Sequence, residues 1–174
     1  MEHVASLENA KNKLRNDISA IVSDTKAIIS DENDDLNMGL DLLERLRKAI
    51  YEDLNQVLHE ALLVRGIEYL NGRNDLQHPI DWYWNPRQTG TGDEPDLQGR
   101  FNNEVVVSAE ASTSAKPQGV IDSRMRDTLT KLSRMNGILF YFVTTQKMMA
   151  RAETKVRRLG FQITVINCGI PLGE

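Results

Sequence analysis

One cysteine, Cys168, stands in 174 residues. That excludes a disulfide framework and a zinc site built from several cysteines, and it points to a reducing cytoplasm. No uninterrupted apolar run approaches the roughly 20 residues that a membrane span needs. Met1-Glu2-His3-Val4 leads into a charged helix and not into a secretory leader. The two glycines of Gln88-Thr89-Gly90-Thr91-Gly92-Asp93 are too few and badly placed to cradle phosphates. Internal repeats and low-complexity tracts are also missing. What is present is 40% apolar residues, enough for one core, so residues 1–174 are expected to form a single cytoplasmic domain.

The net charge of −4 conceals an asymmetry. Residues 1–95 carry 10 Lys and Arg against 18 Asp and Glu, a balance of −8, while residues 96–174 carry 11 against 7, a balance of +4. The second half suits a phosphate-facing surface, with ordinary scatter of solvated charge as the plainer alternative.

From Val4 to Ile29 the apolar residues Leu7, Leu14, Ile18, Ile21 and Ile28 recur at helical spacing. Such a stripe suits packing on the domain or pairing with a second subunit. Ser30 to Asp35 is a turn rich in capping residues. A longer helix is expected over Leu36–Leu70, carrying His59 and Glu60, both of which read as surface or core-edge groups. Residues 1–35 thus form an N-terminal helical extension and residues 36–174 the core. Ile80 to Trp84 reads as a strand whose Trp82 and Trp84 share a face, for core packing ahead of base stacking. Later come a helix over Val120–Met135, the apolar run Ile138–Val143 of a strand buried on both faces, a helix over Thr145–Leu159 and a strand over Phe161–Ile166. Strand, helix, strand with short links implies a parallel crossover.

The most informative stretch runs from Glu94 to Ser112. Two strands flank a turn placed within Gly99-Arg100-Phe101-Asn102-Asn103. In the second strand Val105, Val107, Ala109 and Ala111 share one face, and Val106, Ser108, Glu110 and Ser112 the other. Asp96, in the partner strand, can approach Glu110 and Ser112. Two carboxylates converging at a sheet's edge beside a polar group form a hard-oxygen site suited to Mg²⁺.

With Pro95-Asp96 followed by Glu110-Ala111-Ser112 in this order of elements, residues 40–167 resemble the PD-(D/E)xK nuclease superfamily, and most of all the type II restriction endonucleases. The resemblance implies an α/β (mixed α+β) fold: a restriction-endonuclease-like core with a mixed central sheet flanked by helices. It implies Mg²⁺ held by Asp96, Glu110 and the Ala111 carbonyl, with Glu60 matching more loosely the acidic residue on the preceding helix. It implies double-stranded DNA as partner, with Lys116, Arg124 and Arg126 at phosphates, bases read from loops such as Asn85–Asp93, and a homodimer using the first helix.

The departure is Ser112 where the motif has lysine. Either Ser112 holds the attacking water by hydrogen bonding, or catalysis has been lost and a DNA-binding or assembly module remains. Lys116 is a candidate substitute for the missing lysine, with a solvated loop charge as its plainer role. A third possibility, in a different class, makes the acidic N-terminal helices a protein-interaction adaptor.

Overall fold

The computed structural model describes residues 1–29, 36–85 and 94–169. The expected turn at Ser30–Asp35 and most of the expected Asn85–Asp93 recognition loop lie outside these residues. Ten elements follow one another: β1 (Glu2–His3), α1 (Leu7–Ile29), α2 (Leu36–Asn71), β2 (Asp81–Trp84), β3 (Leu97–Phe101), β4 (Glu104–Ser112), α3 (Val120–Leu132), β5 (Ile138–Val143), α4 (Gln146–Leu159) and β6 (Ile163–Asn167). The fold is mixed α/β, with a six-stranded sheet in the order β1-β2-β3-β4-β5-β6. Strands β1 to β4 pair antiparallel, and β4, β5 and β6 pair parallel.

Two boundaries differ from expectation. Residues 2–3, expected in the N-terminal helix region, pair with Tyr83 and Trp84 as the edge strand, and the Val4 amide donates to the Trp82 carbonyl at 2.8 Å. The hairpin turn is only Asn102-Asn103, with φ of 51° and 65°. Two successive positive φ values suit the right-handed twist of a hairpin, and asparagine tolerates them. Gly99 belongs to β3 and not to the turn. It leaves room for the Trp82 ring, which an added Cβ would meet at 2.7 Å.

The alternation of β5 shows how the sheet is covered. Phe140 and Phe142 pack with Leu62, Leu63, Ile67 and Leu70 of α2 and with Leu14 of α1. Leu139, Tyr141 and Val143 point the other way, into Met125, Leu129 and Leu132 of α3 and Met148 and Ala152 of α4. Trp82 and Trp84 are 5% and 4% exposed and sit in the first of these cores, so they are packing residues and not a stacking platform. Gly66 sets how closely α2 approaches the sheet, since a Cβ there would lie 2.5 Å from the Phe142 ring.

Helix α1 uses its stripe on α2: Leu14 is buried, and Leu7 and Ile21 pack against the same core. Ile18, Val22 and Ile29 remain exposed, as do Met38, Leu40, Leu43, Tyr51 and Leu54 on the first half of α2. No helix among the described residues is long and apolar enough to cross a membrane.

Candidate functional site

Strand pairing is what unites the two carboxylates. Leu97 lies opposite Ala109 in the antiparallel β3–β4 ladder, so Asp96, one residue before β3, comes opposite Glu110. Directly opposed residues of such a pair project to the same face. Both side chains are buried, at 2% and 4% exposure, at the end of the sheet where β4 gives way to the Thr113–Ser114 loop.

Asp96 is held in place from two sides. Its Oδ2 accepts the Ala111 amide at 2.8 Å and lies 3.2 Å from Nε2 of His59 on α2. Burial opposes charging of His59, but the hydrogen bond and charge of Asp96, with Glu110 and Glu60 beyond, outweigh it and raise the imidazole pKa. His59 therefore belongs to the site, although the sequence assigns it no partner. Its signal was weak, because nothing in a helical Leu58-His59-Glu60 indicates which strand the ring will meet.

Glu110 is less well compensated. Burial, then the neighbouring Asp96 charge, push its pKa up to about 7, while Lys131 pulls the other way. The Lys131 ammonium of α3 stands 2.9 Å from Glu110 Oε1 and donates to the Glu94 carbonyl at 2.7 Å. The two form an ion pair, and Oε1 is buried with no other partner among the described residues. Lys131 is the second site residue that the sequence does not single out.

Ser112 projects beside this pair from the same face of β4, and its side chain hydrogen-bonds Tyr141. The phenol is buried and its pKa is raised to about 12, first by that burial; the Ser112 bond acts against the rise, and the charges of Glu110 and Asp96 add to it. Tyr141 is thus a neutral hydrogen-bonding group at ordinary pH. Next to Ser112 opens a cleft of about 580 Å³, lined by His59, Ser112, Thr113, Ser114, Arg124 and Thr128 among others.

The other expected residues lie apart. Glu60 is buried, but its carboxylate faces α1, whose Lys13 Nζ donates to one oxygen while Gln56 Nε2, on α2 itself, donates to the other. It lines a different cleft, between α1 and α2. Lys116 is exposed in the loop after β4, and no contact joins it to the carboxylate pair among the described residues. Arg124 is exposed at the cleft, whereas Arg126, two residues on, lies on another flank of α3 and stands 3.6 Å from Asp127. Among the described residues no three His, Cys, Asp or Glu side chains converge where one metal ion could sit.

Lys131 and His59 only partly offset the two buried carboxylates, since burial and the Asp96 charge still raise the Glu110 pKa, and the pair keeps a deficit of positive charge. A divalent cation fits that deficit, and Mg²⁺ is commonly bound by only one or two carboxylates with several waters retained. Comparison of the chain with family models, with curated proteins and with solved structures found no match.

Proposed function

We propose that this chain is a Mg²⁺-dependent endonuclease that hydrolyses DNA phosphodiester bonds, most like a type II restriction enzyme. The observation carrying this reading is the buried Asp96–Glu110 pair at the sheet's end, beside an open cleft and next to the Lys131 ammonium. Asp96, Glu110 and the Ala111 carbonyl would hold the ion; Glu60, committed to Lys13, is not in this set. Bound there, Mg²⁺ would acidify a water and neutralise charge on the phosphate under attack.

The chain's own groups have separate tasks. His59 and the Ala111 amide fix the orientation of the Asp96 carboxylate. Lys131 brings to Glu110 the positive charge that the family motif carries on its lysine, from α3 instead of from β4. Ser112, steadied by Tyr141, offers a hydroxyl to position a water at the cleft wall. A second copy of the chain belongs to the same reading, with the exposed apolar side chains of α1 and of the first half of α2 as the pairing face.

One observation favours a second reading, a DNA-binding module without catalysis. Lys131 and His59 already place positive or proton-donating groups on both carboxylates. A nicking assay on supercoiled plasmids separates the two. Cutting with Mg²⁺ that stops in EDTA supports the endonuclease. Duplex binding with no cutting of any plasmid in Mg²⁺ or Mn²⁺ supports the module, and neither binding nor cutting removes both.

A further inference from the structure

We infer that one strand of a DNA duplex runs along α3 and the turn that follows it, held by Arg124 and Arg134, so that its scissile bond crosses the Asp96–Glu110 pair at Lys131. The inference rests on the endonuclease reading and adds to it the path of the substrate.

Arg124 and Lys131 stand seven residues apart on α3, which keeps their side chains on one flank of the helix, and Arg134 lies in the turn just beyond it, lining the same cleft as Lys131. Two clefts open along that flank. The first holds Arg124 and Thr128, with Ser112, Thr113 and Ser114 on its opposite wall; the second, of about 430 Å³, holds Lys131 and Arg134. The central cation of the row is the one that touches Glu110. Arg124 to Lys131 spans seven residues, or roughly 10 Å of helix rise, the axial length over which one strand of a duplex presents about three phosphates.

Of the α4 cations that face α3, two are engaged. Arg151 and Lys155 of α4 are taken up by Asp122, at 2.7 and 3.0 Å. Arg124 and Arg134 are exposed, and their guanidinium groups have no ion-pair or hydrogen-bond partner among the described residues. The flank has one acid, Asp127, which lines both clefts and lies 3.6 Å from Arg126. The hydroxyls of Ser112, Thr113, Ser114 and Thr128 are neutral donors, the remaining chemistry a phosphate oxygen accepts.

The test is fluorescence anisotropy of a labelled 16-base-pair duplex with the full chain in EDTA, across a salt series. Arg124→Ala and Arg134→Ala should each weaken binding about three- to tenfold at low salt. Each should also lower the slope of log affinity against log salt by about 0.9, the loss of one phosphate contact. Arg158→Ala, on the far end of α4, should change neither. Wild-type binding that survives Arg124→Ala and Arg134→Ala with an unchanged salt slope overturns the path while leaving the endonuclease reading in place. Absence of wild-type duplex binding and of Mg²⁺-dependent cutting overturns both.

Discussion

Glu110 is the side chain whose chemistry is most exposed to measurement. Its pKa is raised from 4.5 to about 7 in the folded protein, so folding favours the protonated form. That contribution is whole below about pH 4.5 and is lost as pH climbs through 7. In EDTA, Glu110→Gln should therefore match wild type near pH 5 and exceed its stability near pH 8, by on the order of 1–2 kcal/mol. Urea unfolding at the two pH values checks this, and equal stability at pH 8 would show that Lys131 fully compensates the charge. Added Mg²⁺ should close the gap by binding the folded wild type. The same variant, and Asp96→Asn, should abolish plasmid cutting while sparing duplex binding or tightening it, since each removes a charge that repels phosphate. A second comparison ranks the cations. Lys131→Ala should slow single-turnover cutting about a hundredfold, and Ser112→Ala about tenfold, the cost of one positioning hydrogen bond. Lys116→Ala should have a small, salt-dependent effect. If Lys116→Ala alone is inactive, the assignment to Lys131 is wrong.

Among the elements, α2 does the most to shape the site, because one helix carries both His59 and the glycine that lets it lie close. Gly66→Ala would place a methyl group 2.5 Å from the Phe142 ring. Since Phe142 is fully buried, the ring has nowhere to retreat and the helix must lift. The expected cost is about 1–3 kcal/mol, seen as a lower midpoint in denaturant with an unchanged slope. Cutting should fall further than stability explains, because His59 would move away from Asp96. A Gly66→Ala protein with wild-type stability would refute the close approach. The hairpin makes the complementary point. Its two-residue turn alone would set Asp96 opposite Ala109; the extra residue Val106, a bulge facing the Gly99–Arg100 step, shifts the ladder by one and brings Asp96 opposite Glu110.

At the scale of the molecule, α1 and the first half of α2 form an arm whose inner side is used and whose outer side is apolar and exposed. Leu40 and Leu43 are 59% and 63% exposed. Light scattering of the wild type should give about twice the 19.7 kDa chain mass, and Leu40→Glu with Leu43→Glu should give the monomer with unchanged helix content. A monomeric wild type at concentrations where DNA is cut would contradict the pairing.

Several features of this protein were legible from residues alone. The two helices, the hairpin and the parallel β4–β5–β6 half follow from period, turn chemistry and an apolar run, all of which are local. The approach of Asp96 to Glu110 was legible too, since a hairpin lays its two strands side by side, whereas the bulge at Val106 that sets the two residues directly opposite was not. The remaining partners were not. His59 arrives from 37 residues before Asp96, and Lys131 from 21 residues after Glu110, by the packing of α2 and α3 on opposite faces of the sheet. The same packing turned Glu60, one residue from His59, toward Lys13. Spacing along a helix determines which residues share a flank, but only the docking of that flank on the sheet decides what it touches.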